Sequence, residues 1–299
     1  VCYTLMRMRE GLKPPDVGNL VTHALLIFNY FDRDKFFSIN AAFWTLAIEI
    51  QFYLVLPLLV WAGARLWGKT PAAARNVALG AIGIGIAVRA AEFVLGGGFT
   101  DPEDTQFVRF RTLPGYLDLF GFGMLAAYLE WRRGDAIRAS RPTRIRLTLG
   151  GILLYLAAHY WSEVINAKGW LLDSDFVYTL GYPILVCAGF GMIVLATACA
   201  PEDRPGLLSW KPLVWIGTIS YSLYLYHIGC EYVVARKDPG SRFTSDVYLR
   251  NLLNALFALP PTLIVAAIMY ALVERPFLGM MSRFKSPRRE PAGVTSTSS

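Results

Sequence analysis

An all-α bundle of membrane-spanning helices is the fold class this sequence predicts, and three observations predict it. Of 299 residues, 55% are hydrophobic and only 17% are charged, with a mean hydropathy of +0.40; a soluble domain usually carries about a quarter charged residues. The apolar residues fall in blocks near the ~20 residues that cross a bilayer. Basic residues sort onto alternate connections between those blocks, as membrane orientation requires.

Eight blocks are expected in chain order. The first, residues 18–31, is short and reads as tilted, extended into its flanks or re-entrant. The second (41–67) and third (72–95) are long, separated by a brief turn containing Lys69 and Pro71. The fourth, 113–129, opens on Leu113-Pro114 and carries Phe120-Gly121-Phe122-Gly123-Met124, whose small residues favour close helix contact. The fifth, 147–161, is again short. The sixth (176–199), seventh (213–235) and eighth (252–273) complete a transmembrane body covering 1–285. The end from 286 to 299, rich in Pro, Ser and Arg, has no apolar face and reads as a disordered tail.

The net charge of +7, from 29 basic and 22 acidic residues, would in a soluble protein suggest nucleic acid. Here the surplus lies in one set of connections. Arg7, Arg9 and Lys13; Arg65, Lys69 and Arg75; Arg132, Arg133, Arg138, Arg141, Arg144 and Arg146; a neutral connection around Glu202, Asp203, Arg204 and Lys211; and Arg275 with the C-terminal basic residues alternate with mixed or acidic stretches such as Asp101–Asp104 and Asp173–Asp175. Both ends are therefore expected in the cytoplasm, with a lipid bilayer and not nucleic acid as the partner. Cys187, Cys199 and Cys230 sit in apolar blocks without zinc-type spacing and read as free, buried thiols, and neither a metal nor a tightly bound cofactor is expected.

A charge at the centre of a membrane helix costs roughly 2.5–3.5 kcal/mol even on lenient scales, so each one needs a partner or a task. Glu49, Arg89, Asp118, His227 and Glu231 are the notable cases. At about 1.5 Å per residue, Glu49 and His227 lie about 12 Å, Arg89 about 9 Å and Asp118 about 8 Å below the outer ends of their blocks. The expectation is a polar layer in the outer half of the membrane. Thr45, Glu49 and Tyr53 recur at four-residue steps, with Trp44 near the outer interface; Ser220, Tyr224, His227 and Glu231 likewise share a face. Taken singly, Arg89 paired with Glu49 or Asp118 is an interhelical register lock, and Trp44 and the tyrosines an interfacial belt. His23 and His159 read as structural.

Phe43-Trp44-Thr45-Leu46-Ala47-Ile48-Glu49-Ile50-Gln51-Phe52-Tyr53 followed by Pro57 resembles the W-[ST]-L-x-x-E-x-x-F-Y segment of the membrane-bound acyltransferase 3 family. Gly217-Thr218-Ile219-Ser220-Tyr221-Ser222-Leu223-Tyr224-Leu225-Tyr226-His227 resembles its I-S-Y-S-x-Y-L-x-H helix, and Glu274-Arg275-Pro276 its closing E-[RK]-P. Arg111, Asp118 and Gly121 to Ala127 are a looser match, and the resemblance runs from about residue 41 to 280.

It implies an integral-membrane O-acyltransferase of a bacterial inner membrane that moves an acyl group, usually acetyl, from acyl-coenzyme A as donor substrate to a hydroxyl of a carbohydrate or glycan. By matching position it implies Glu49 and His227 as catalytic residues, with Trp44, Tyr53, Arg89, Asp118, Ser220, Tyr221 and Tyr224 around the substrate. The family's arginine and histidine of the first helix and its F-F-x-x-S-G-F helix have no counterpart here. Together with Val1 in place of methionine, this leads us to expect an N-terminal truncation of about two helices. The competing expectations are an inactive fragment and a proton-coupled transporter or flippase, with Glu49, Asp118 and His227 as a relay and Arg89 binding an anion.

Overall fold

The computed structural model describes residues 14–31, 33–40, 42–95, 111–168, 174–201 and 209–282. Among the described residues, all regular structure is helical. The chain divides into two compact units, Val1–Trp210 and Lys211–Ser299.

The first unit opens with α1 (Val17–Ala24), a 3-10 turn at Phe28–Tyr30, and α2 (Arg33–Phe36). Asp16 starts α1, its carboxylate accepting from the Asn19 N–H at 2.7 Å, which satisfies one of the donors a helix start leaves open. Leu26 then takes a left-handed backbone with φ of 57°, and the helix stops. Eight residues of α1 rise only about 12 Å, against about 30 Å of hydrocarbon, so the first expected block is not one spanning helix.

Five long helices complete this unit: α3 (Phe43–Trp67), α4 (Pro71–Leu95), α5 (Leu113–Ala139), α6 (Arg141–Lys168) and α7 (Ser174–Ala198). In lipid, apolar burial does not drive helices together, so close packing and polar contacts must. Ile48 and Phe52 of α3 meet Leu113 and Leu117 of α5 in a buried cluster, with Phe52 stacked on Phe120 at 3.9 Å. Gly121 lets α5 approach α4 backbone to backbone: a Cβ there would lie 2.9 Å from the Ala78 carbonyl and from the Ile82 nitrogen. Gly123, expected to share that role, faces open space. Gly151 of α6 and Gly189 of α7 face each other, and a Cβ on either would come within 2.7 Å of the other's carbonyl oxygen.

The second unit holds α8 (Lys211–Thr218), α9 (Ser220–Lys237) and α10 (Val247–Met269), a π-helical turn at Tyr270–Glu274, and α11 (Arg275–Ser282). The connection from α9 to α10 is clamped by Asn254, whose amide donates to Asp238 at 2.7 Å and whose carbonyl oxygen accepts from the Gly240 N–H at 2.8 Å. Asp246 caps α10 by accepting from the Leu249 N–H at 2.8 Å.

Among the described residues, four helical runs are long and apolar enough to cross a membrane: Phe43–Trp67, Pro71–Leu95, Thr179–Ala198 and Val247–Met280. The expected count of eight is not confirmed by this measure. The reason is charge and breakage. The long helices α5 and α6 carry ion clusters around Arg132 and Arg144, and the seventh block is split at Ile219 into an 8-residue and an 18-residue helix.

Candidate functional site

Helix α3 presents two faces. Its inner face carries Trp44, Ile48 and Phe52, at the four-residue steps that stack side chains along a helix, and is packed against α5. Trp44 meets Tyr116 edge-on at 5.5 Å and Phe36 at 6.2 Å, and the Arg111 guanidinium lies over its indole at 5.3 Å. Its other face carries Glu49 and Tyr53, both exposed, with the Tyr53 hydroxyl donating to a Glu49 carboxylate oxygen at 2.8 Å. The shared face read from the sequence is thus real. It opens outward from the unit and not onto the Arg89–Asp118 pair.

Arg89 and Asp118 are sealed between α4 and α5, with relative exposures of 4% and 0%. One guanidinium nitrogen donates to Asp118 Oδ1 and to the Gly115 carbonyl, both at 2.7 Å, and the second makes a short contact with Asp118 Oδ2. The fork of an arginine matches a carboxylate in this two-point way. Gly85 makes room for it, since a Cβ there would lie 2.5 Å from the Asp118 nitrogen. Of the two pairings open to Arg89 from sequence, the one with Asp118 forms. Glu49 therefore does not join these two in one polar layer within this unit: its face is open and theirs is closed.

Sequence reasoning missed the amide network that holds the start of the unit to α3. The Gln51 amide donates to the Leu26 carbonyl and to Asn29 Oδ1, the latter at 3.1 Å; Asn29, fully buried, donates to the Arg111 carbonyl at 3.1 Å. Two residues beyond Glu49, Gln51 thus ties α3 to the 3-10 turn, and Asn29 ties that turn to the residue stacked on Trp44. His23 is buried, stacked on Phe28 at 3.8 Å, and its Nδ1 donates to the Asn19 carbonyl at 2.8 Å. His159 contacts the Tyr155 carbonyl at 3.2 Å and the Tyr182 hydroxyl at 3.1 Å.

In the second unit, His227 is half-buried and its Nδ1 lies 2.5 Å from the Tyr224 carbonyl oxygen. A carbonyl only accepts, so Nδ1 carries the proton of this contact, and in the neutral ring the lone pair is then on Nε2. The Tyr224 ring lies 5.5 Å from the imidazole. Glu231, expected to pair with His227 across one helical turn, is exposed and forms no such bond; the backbone carbonyl takes its place. Ser220 and Tyr221 are exposed at the start of α9. The buried polar contact belongs instead to Ser222, whose hydroxyl donates to Glu274 Oε2 at 2.9 Å across 52 residues. Both residues stood in the recognised motifs, but spacing alone gives no sign that they meet. Cys187 and Cys199 are free and buried, while Cys230 is free and half-buried. Among the described residues, no three His, Cys, Asp or Glu side chains are grouped to hold a metal ion.

A family model described as an acyltransferase domain matches residues 11–271. The chain belongs to that acyltransferase family. It is 27% identical over 260 residues to the peptidoglycan O-acetyltransferase OatA of Listeria monocytogenes, covering 86% of this chain and 38% of the relative. It is 26% identical over 255 residues to YrhL of Bacillus subtilis, which carries a provisional name for the same activity, covering 83% of this chain and 36% of that one. The chain thus spans less than two-fifths of either relative. No solved structure matches it significantly. Family and apolar helices together make it a membrane protein.

Proposed function

We infer that this chain is the membrane part of an O-acetyltransferase that moves acetyl from acetyl-coenzyme A to a hydroxyl of a cell-wall glycan, peptidoglycan being the acceptor favoured by the names of its relatives. The single observation that carries this reading is the acyltransferase match over residues 11–271, within which the two motif helices fall. Transfer requires the thioester C–S bond to break and an ester C–O bond to form. The hydroxyl proton passes to a base and then to the leaving thiolate.

The reading assigns proton acceptance to His227, whose Nε2 lone pair is left open by the Nδ1 contact with Tyr224. It assigns acceptor binding to Glu49 and Tyr53, with Trp44 fixing the inner face of their helix. It assigns Ser220, Tyr221 and Tyr224 of α9 to substrate contact. Arg89 and Asp118 serve by holding α4 and α5 in register, as their burial supports. The reading places the chain in a bacterial inner membrane with both of its ends in the cytoplasm, an orientation that the basic residues of its connections support.

The test is to express the full protein and compare release of base-labile acetate from peptidoglycan for wild type and Glu49→Gln at matched folded amounts. The reading expects wild type to acetylate and the variant to fall at least about a hundredfold. Wild type without acetylation overturns the function. Equal rates in the two proteins remove Glu49 from the site.

A further inference from the structure

The second unit contains a cavity of about 250 Å³ between the start of α9 and the end of α10. Tyr221, Leu225, Met269, Val273 and Phe277 give it mainly apolar walls, and Ser222 and Glu274 form its polar edge. Ser222 is 4% exposed and spends its hydroxyl on Glu274 Oε2. The other carboxylate oxygen is left to accept a hydrogen bond.

Glu274 closes the π-helical turn that interrupts α10. Such turns widen a helix locally and recur at functional sites. Here the turn sets the carboxylate against Ser222. The volume lies just under the ~300 Å³ at which pockets for drug-sized ligands begin, so it fits a slender arm and not a nucleotide.

We propose that this cavity receives the acyl-thioester arm of the donor, its methyl-rich and methylene segments against the apolar walls and one of its amide N–H groups donating to Glu274. The coenzyme's nucleotide stays outside. The proposal rests on the acetyltransferase reading above. Under the orientation proposed there, this end of the unit faces the cytoplasm, where a coenzyme A thioester is supplied. Arg275, exposed and next to Glu274 in sequence, adds positive charge at this end for the donor's phosphates.

The experiment uses the full protein in lipid nanodiscs with an acyl-coenzyme A bearing a photoreactive diazirine on its acyl chain, followed by mass-spectrometric mapping of the label. Label within residues 221–226 and 269–278, suppressed by excess acetyl-coenzyme A, supports the proposal. Label elsewhere overturns it, as does label in these segments that acetyl-coenzyme A fails to displace, which would mark a general lipid slot. In parallel, Val273→Trp, which fills the cavity from its half-exposed rim, is expected to raise KM for the donor about tenfold while leaving KM for the glycan unchanged. An unchanged donor KM in folded protein counts against it. Wild-type acetylation with label mapped elsewhere defeats this assignment alone; absence of acetylation defeats the function it rests on.

Discussion

Removing Asp118 while leaving Arg89 in place is the perturbation whose cost the structure fixes most sharply. Asp118 is 0% and Arg89 4% exposed, and the carboxylate takes both guanidinium nitrogens. In Asp118→Ala, the buried cation keeps only the Gly115 carbonyl, which lies 2.7 Å away. Breaking a buried pair on one side costs about 3–5 kcal/mol, two to three and a half orders of magnitude in the folding equilibrium at about 1.4 kcal/mol per tenfold.

The compensating double variant Arg89→Met with Asp118→Leu leaves no charge to bury, and replacing such a pair by apolar groups is often neutral. It should recover most of the loss. The assay is reversible unfolding of the purified protein in mixed micelles across all four members of the cycle, from which the coupling follows directly. A single variant costing under about 1 kcal/mol, or a double variant whose cost is the sum of the two singles, would refute the reasoning.

Two further predictions concern packing and the network beneath the acidic motif. Gly85→Ala puts a methyl 2.5 Å from the Asp118 nitrogen and should cost about 1–3 kcal/mol by overpacking; Gly123→Ala meets nothing within 4 Å and should leave stability equal or slightly higher, both read by the same unfolding assay. Gln51→Leu strips the amide donor from the Leu26 carbonyl and from Oδ1 of buried Asn29. It should cost about 1–3 kcal/mol and show as faster hydrogen exchange across Val17–Tyr30, with exchange in α6 and α7 unchanged.

How much of this was legible in the sequence differs from residue to residue. The four-residue repeat of Thr45, Glu49 and Tyr53 gave their common face, and the Tyr53 to Glu49 bond follows from it. Periodicity could not say which face turns inward, because in a membrane helix the outward side is apolar too, as exposed Leu54, Leu58 and Trp61 show. Arg89 had two carboxylates to choose from at similar depth. The choice of Asp118 depends on Gly85 letting α4 and α5 close up, a contact that spacing does not encode. The break in the first block was hidden for a simpler reason. It falls on Leu26, a left-handed residue without the glycine that usually announces one. Ser222 and Glu274 were each visible in a motif, but their bond joins positions 52 residues apart, and a single sequence carries no record of such a pairing.

The proposed acetyl transfer, with His227 taking the hydroxyl proton, has one most direct test. The most direct measurement supplies the full protein, reconstituted in lipid, with acetyl-coenzyme A labelled in the acetyl group and peptidoglycan glycan, and follows label into alkali-labile ester for wild type and His227→Gln. Label should enter the glycan with wild type and fall by about two to four orders of magnitude with the variant, the usual contribution of a positioned base. Equal labelling by the two, with the variant folded, would contradict the account.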